Sequence, residues 1–236
     1  MQIDELFLNN GASIQKNIDN FEKYVRRQVM ARFLVRYELF KKIKEVKGNI
    51  VECGVYHGGG IFAWAKLSTI LEPYALYRKI IGFDTFEGFP TISNEDISNE
   101  KNKNLRLNGM NPKFDVYQDL LNCEKLYDEN RFLNNFSKIE LIKGNAIKTI
   151  PEYVKNNNHL TISMLFLDFD LYEPTKIALE YLYPKVVKGG IIVFDEINNP
   201  IWPGESQAIY EYFNNFNDLR IKKFDFEPKM SYIIKE

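Results

Sequence analysis

The run from Met164 to Asn198, MLFLDFDLYEPTKIALEYLYPKVVKGGIIVFDEIN, narrows the possible folds of this chain sharply. Met164 to Leu167 and Ile191 to Phe194 are short, nearly unbroken apolar runs, the pattern of strands covered on both faces. Thr175 to Val187 between them carries Ile177, Leu179, Leu182 and Val186 and is long enough for a crossover helix. Pro184 breaks its last turn and Gly189-Gly190 lie beyond its end. A right-handed crossover lays the two strands parallel. Their carboxyl ends carry Asp168 and Asp170 on one strand, Asp195 and Glu196 on the other. In open α/β sheets ligands bind outside those ends. Four carboxylates at one rim repel unless a cation or a shared proton relieves them. Any one of them could instead cap a helix or turn, as Asp170 and Glu173 would for the following helix. Four together are harder to explain as caps.

At 236 residues the chain suits one domain with an insertion and a single substantial core. The formal net charge of −1 argues against coating nucleic acid. No run approaches a membrane span, and MQIDELFLNN lacks a basic start followed by an apolar core, so a cytoplasmic protein is expected. Two cysteines, Cys53 and Cys123, make no disulfide framework. Residues 1–47 are expected to form a helical extension. A catalytic domain over 48–236 follows, with 90–136 as a lid or insertion.

Residues 1 to about 15 are polar and read as loosely attached. From Phe21 to Val46 the residues Val25, Val29, Phe33, Tyr37 and Phe40 recur at three- and four-residue steps, an amphipathic helix with room for one break. Arg26, Arg27, Arg32 and Arg36 lie among them. They form a solvated face, unless one or two reach the site to meet an anionic substrate. Next, Asn49 to Cys53 reads as a strand, Gly54 to Gly60 as a glycine-rich turn and Ile61 to Leu71 as a helix, the nucleotide-binding opening of a doubly wound fold. Tyr56 stands where a dinucleotide fingerprint needs its second glycine, which disfavours a pyrophosphate. Glu52 just before the turn fits instead a cofactor with a cationic or amino-acid end, such as S-adenosylmethionine. Lys79 to Phe83 is a strand ending in Asp84, where an acid grips ribose hydroxyls or opens an Asx turn over Thr85 to Pro90.

Residues 91–113 are the least hydrophobic segment, either a lid or disordered. Phe114 to Phe136 reads as one or two short helices and Lys138 to Ile142 as a strand. A helix from Ile147 to Val154 tolerates Pro151 only near a break. Asn145 and Ala146, by position, stand near the adenine of a cofactor. Asn199 to Glu205 is a proline-bounded loop at the acidic rim. There Trp202 offers a flat apolar face to a substrate and Glu205 a hydroxyl acceptor or helix cap. Ser206 to Phe216 reads as a helix, and Leu219 to Phe224 and Met230 to Lys235 as closing strands. Cys53 reads as a small buried hydrophobe. His57 could touch a ligand or lie at the surface.

VECGVYHGGG, IIGFDTFEGFP, FLDFDLYEPT, LYPKVVKGGIIVFDE and the WPGES loop together resemble the macrocin O-methyltransferase-like family, nearest its nucleotide-sugar branch, the dTDP-rhamnose 3-O-methyltransferases. The resemblance runs from about Arg32 to Glu205. It implies a class I methyltransferase fold, a seven-stranded, mostly parallel sheet with helices on both faces and an antiparallel last strand. It implies S-adenosylmethionine as cofactor, with Glu52, Gly54 and Gly58 at its methionine end and Asp84 at its ribose. Tyr56, Thr85 and Asp168, together with Asn145 and Ala146, complete the expected cofactor-binding set. Asp168 and Asp195 match metal-ligand positions and Asp170 the general base. Glu196 stands where macrolide-tailoring members carry a second aspartate. A homodimer through the N-terminal helices is also implied.

The expected reaction is in-line attack of a sugar hydroxyl on the sulfonium methyl, with Asp170 as base. Mg²⁺ suits hard oxygen ligands where no histidine or cysteine cluster exists. Rival readings are a metal-dependent glycosyltransferase using Asp168-x-Asp170, a catechol-type methylator of phenols, and a binding protein without turnover.

Overall fold

The structure, a computed structural model, describes residues 3–236. Its strands are β1 (Asn49–Cys53), β2 (Ile80–Asp84), β3 (Ile139–Lys143), β4 (Ile162–Leu167), β5 (Val186–Phe194), β6 (Lys222–Lys223) and β7 (Ser231–Ile234). They form one sheet in the order β3-β2-β1-β4-β5-β7-β6. The first five run parallel, and β7 is antiparallel to both β5 and β6. Side chains alternate across it with the period of two expected of strands. Ile50, Met164, Phe166, Ile191 and Val193 enter one core, while Val51, Cys53, Leu165, Leu167, Ile192 and Phe194 enter the other. Cys53 is fully buried, as a small hydrophobe should be.

The helices are α1 (Ile3–Asn9), α2 (Ile14–Ile18), α3 (Arg27–Ile43), α4 (Gly59–Leu71), α5 (Val116–Glu129), α6 (Ala146–Asn156), α7 (Tyr172–Leu182) and α8 (Pro203–Tyr212). The first core is covered by α3, α4 and α5, the second by α6, α7 and α8. No helix among the described residues is long and apolar enough to cross a membrane.

Several elements depart from the sequence reading. Residues 3–18 are not loose coil, because Asn17 at the end of α2 is buried and donates to the Phe7 carbonyl at 2.6 Å, while residues 1–2 lie outside the described residues. The helix over Phe21 to Val46 carries the one break allowed for it: a 3₁₀ turn, Phe21–Lys23, precedes α3 at Arg27. Its buried stripe is Val35, Leu39, Phe40 and Ile43, whereas Val29 and Phe33 are exposed. That rotation carries Arg32 and Arg36 toward the molecule. Pro151 lies inside α6 rather than at a break, forfeiting the one bond its missing N–H would make to the Ile147 carbonyl. β5 starts earlier than expected because Gly189 donates to the Lys235 carbonyl and Lys235 to the Gly190 carbonyl, both at 2.8 Å, so the glycines stay in the ladder. As expected, Pro184 ends α7 in a 3₁₀ turn.

Residues 91–113 have little regular structure but are tied down, so the disordered reading is set aside. Asp96 is buried; it accepts from the Ser93 N–H and hydroxyl through one oxygen, both at 2.8 Å, and from the Tyr172 N–H at 2.7 Å through the other. Ser98 and Asn102 donate to the Pro200 and Ile201 carbonyls.

Arg78 holds α3 to the sheet. Its guanidinium donates to the Gly48, Ile43 and Val46 carbonyls at 2.9, 3.2 and 2.9 Å and to the Ser163 hydroxyl at 2.5 Å, with Glu72 at 2.8 Å. Arg78→Ala should cost about 3 kcal/mol or more, since it strands a half-buried carboxylate and several carbonyls. Arg78→Lys should restore only a minor part, because one ammonium cannot span those acceptors. Urea unfolding of the three proteins measures both.

Candidate active site

Backbone bonds continue past the strand tips and line up one residue from each of five adjacent strands. Gly144 donates to the Asp84 carbonyl at 2.9 Å and Gly54 to the Phe83 carbonyl at 2.9 Å. Asp168 donates to the Cys53 carbonyl at 2.8 Å and Asp195 to the Leu167 carbonyl at 3.1 Å. The tips therefore run Gly144, Asp84, Gly54, Asp168, Asp195 in steps of about 4.8 Å.

The bend after β1 is held tightly. Gly54 has φ +94°, and a Cβ there would stand 2.0 Å from the Asp168 carbonyl oxygen. One Asp84 oxygen accepts from the Val55 and Tyr56 N–H groups, both at 2.7 Å, and the other from the Phe86 N–H at 2.7 Å. Asp84 thus does open an Asx turn, and the same carboxylate also fastens the glycine bend. Tyr56 is held at φ 51°, a conformation uncommon for a residue with a side chain. Asn145 caps α6 by accepting from the Ile147 N–H at 3.0 Å.

These groups wall a cavity of about 330 Å³, within the usual size of small-molecule sites. Gly54, Tyr56, Asp84, Thr85, Asn145 and Ala146 line one end. Asp168, Asp170, Asp195, Glu196 and Trp202 line the other. Phe89, Met110 and Pro112 cover it from the 91–113 side, with Phe89 edge-on to Trp202 at 5.6 Å. A bend that admits close approach, an acid one strand away and an asparagine-capped helix beyond suit an adenosyl cofactor with its reactive end toward the aspartates.

Three expected site residues stand behind the wall. Glu52 is 2% exposed and accepts from the Trp64 indole N–H at 2.6 Å. A Cβ on Gly60 would lie 2.2 Å from its carboxylate, so α4 packs directly on Glu52. Gly58 caps α4 in the left-handed region. Glu205 is fully buried and accepts from the Glu196 N–H at 2.9 Å, so it braces the rim rather than meeting substrate. His57 lies between the Tyr56 and Phe114 rings.

At the acidic end, Arg32 from α3 bridges two strand tips. Its guanidinium lies 2.9 and 3.2 Å from the two Asp195 oxygens and 3.4 Å from Asp168. Burial pulls against its charge, but Asp195 and then Asp168 hold it more firmly protonated than usual. Burial, then the charges of Asp195 and Asp170, raises the Asp168 carboxyl well above the carboxylate range despite Arg32. Burial followed by Glu196 and Asp195 does the same at Asp170. Asp170 sits at φ 62°, and such strain persists where surrounding structure enforces it, commonly at reactive sites. Arg36 lies 5.9 Å from the Trp64 and Phe166 ring centres.

The expected metal ligands do not assemble as a set. Among the described residues no three histidine, cysteine, aspartate or glutamate side chains converge to hold an ion. Glu196 accepts from the Asn199 side chain instead, and a guanidinium bridges Asp168 and Asp195. The residues as arranged do not fit a divalent cation.

Strand order, antiparallel β7 and the row of tips define the class I S-adenosylmethionine-dependent methyltransferase fold. The chain belongs to the macrocin-O-methyltransferase (TylF) family, whose model matches residues 28–225. It is 26% identical over 173 residues to mycinamicin III 3''-O-methyltransferase of Micromonospora griseorubida, covering 71% of this chain and 61% of that one. It spans 53–61% of the length of the curated relatives it matches. Among solved structures it is similar to CalS11, described as a calicheamicin methyltransferase. That match has a TM-score of 0.92, 28% identity and coverage of 98% of this chain and 89% of the other. An apo structure of CalS11, described as a TDP-rhamnose 3'-O-methyltransferase, matches at TM-score 0.83 and 28% identity over 98% and 91% of the two chains. The glycosyltransferase reading of Asp168-x-Asp170 finds no support in this fold or family.

Burial, partly offset by Arg36 and the Trp64 bond, raises Glu52 from 4.5 to about 7. An acid with a raised folded pKa favours the fold fully below its unfolded value and loses that contribution as pH climbs through the folded one. From pH 4.5 to 8 this residue alone should cost on the order of 3 kcal/mol. Glu52→Gln keeps an acceptor for Trp64 and should remove that share of the pH dependence, measured by urea midpoints at the two ends of the range.

Proposed function

We propose that this protein is an S-adenosylmethionine-dependent O-methyltransferase acting on a hydroxyl of a nucleotide-linked deoxysugar. The row of strand tips carries the reading, since it sets a cofactor bend one strand from a cluster of carboxylates. Bound at the bend, S-adenosylmethionine supplies an electrophilic methyl whose C–S bonding pair leaves on sulfur as the O–C bond forms. Gly54 lets the cofactor approach the backbone, Asp84 and Asn145 orient its nucleoside, and the Phe89–Trp202 wall keeps water from the reacting end. Asp170 takes the proton of the attacking hydroxyl. Burial and the neighbouring carboxylates raise its pKa, the direction that makes a carboxylate a stronger base.

A sugar carrying a diphosphate fits the surroundings. Lys103, Arg106 and Lys113 flank a depression that shares Tyr56, Asn104 and Met110 with the main cavity. These cations would meet the phosphates outside the reacting centre. The names of the similar proteins, TDP-rhamnose 3'-O-methyltransferase among them, favour the same class of acceptor. We also propose a homodimer through the N-terminal segment, where Ile3, Leu8, Ile14, Val29 and Leu34 are exposed.

Titration calorimetry with S-adenosylhomocysteine should show binding that Asp84→Ala weakens. Failure of wild-type protein to bind it would overturn the proposal. Asp170→Asn should leave that binding intact and lower kcat roughly a hundredfold or more. Equal turnover by Asp170→Asn would remove the base from Asp170, and a phenol turned over faster than any sugar would favour the catechol-type reading. Lys103→Ala with Arg106→Ala should raise KM for a dTDP-sugar several-fold with little change in kcat, as expected of uniform binding.

A further inference from the structure

We infer that Arg32 is the resident cation of this site, so that methyl transfer by this chain needs no divalent metal; this rests on the methyltransferase reading above. Asp168 and Asp195 end adjacent strands, one inter-strand step apart. Register alone forces their carboxylates together, and such a pair cannot both stay ionised without a positive partner. The chain supplies that partner from a separate element. Both Asp195 oxygens face Arg32 nitrogens, at 2.9 and 3.2 Å, and Asp168 faces the same guanidinium at 3.4 Å.

Three further features make the arrangement a built one. Arginine does not lose its proton in proteins, so the charge is permanent. Its helix is clamped at the far end by Arg78, which bonds the Ile43 and Val46 carbonyls. The third carboxylate that a closed ligand set would need, Glu196, is engaged by the Asn199 side-chain amide. A divalent ion between the two aspartates would have to displace the guanidinium against its ion pairs, since two cations in one partly buried gap repel strongly.

The consequence is chemical. A guanidinium donates hydrogen bonds but presents no open coordination position, so it orients Asp168 and a neighbouring sugar oxygen without strongly acidifying the hydroxyl. Removal of the proton then falls on Asp170. Arg32 acts as a positioning residue.

The test uses full-length protein dialysed against EDTA, with Mn²⁺ as the probe followed by electron paramagnetic resonance. Wild type should leave the aqueous Mn²⁺ signal undiminished and keep its turnover in EDTA. Arg32→Ala should lose roughly a hundredfold in turnover, quench the Mn²⁺ signal, and recover part of its activity with Mg²⁺. Arg32→Lys should keep the charge, bind no Mn²⁺ and retain more activity than the alanine variant. EDTA-sensitive turnover restored by Mg²⁺ in wild type would overturn the inference. So would Mn²⁺ binding by wild type that Asp195→Asn abolishes. If Arg32→Ala fails to fold by circular dichroism, the wild-type and lysine measurements decide alone. If no sugar is methylated, the Mn²⁺ readout still tests Arg32, while S-adenosylhomocysteine binding tests the methyltransferase reading.

Discussion

Parallel register between β1 and β4 is the constraint on which this site depends. Cys53 pairs with Leu167, so the residue after each strand, Gly54 and Asp168, must meet. Gly54 has no room for a side chain against the Asp168 carbonyl. Two kinds of group that the proposed reaction needs together, a glycine bend and an acid, are thus neighbours by backbone bonding alone. The same ladder extends outward to Asp84 and Gly144 on one side and Asp195 on the other. No loop has to be held in place to bring them together. Loops and helix starts then supply the remaining parts: Phe89, Met110 and Pro112 against the cavity, Trp202 beside it, and Arg32 of α3 reaching in.

Such a row has an electrostatic cost. Parallel strand tips converge on one rim, and here four of the side chains just beyond them are acids. Asp168, Asp170 and Glu196 are all raised above the ordinary carboxylate range, by burial first and by one another next. Arg32 lowers the repulsion at the Asp168–Asp195 end and leaves Asp170 out of the ion pair. The division matters for the proposed chemistry, because it leaves Asp170 free of an ion pair while Arg32 occupies Asp168 and Asp195.

Much of this was legible in the residues. Apolar runs bounded by glycine and proline located β1, β2, β4 and the parallel crossover, and the acids after those runs located the rim. The FLDFD and IIVFDE segments carry their own end markers, so their geometry follows from strand physics. Arg32 was harder. Its helix contains two candidate stripes, Val25-Val29-Phe33-Tyr37-Phe40 and Val35-Leu39-Ile43, and simple periodicity fits both. The residue pattern favours the first, of which Phe40 is buried but Val29 and Phe33 are exposed, whereas the second is buried throughout. Stepped back by four and by eight from buried Phe40, the same face meets Arg36 and Arg32, cations where apolar residues are expected. That anomaly was the available signal. Glu52 and Glu205 show the opposite error. Their type and position suggested ligand contact, but Trp64 and the Glu196 amide take their oxygens, a matter of tertiary packing that no local pattern records.

A crystal structure with S-adenosylhomocysteine and a dTDP-deoxysugar tests the central arrangement most directly. The account expects the thioether sulfur between the Gly54 bend and Asp170, ribose hydroxyls near Asp84, and one sugar hydroxyl within hydrogen-bond reach of Asp170. Cofactor density away from the Gly54–Asp168 junction, or a sugar whose hydroxyls all lie beyond reach of Asp170, would contradict it.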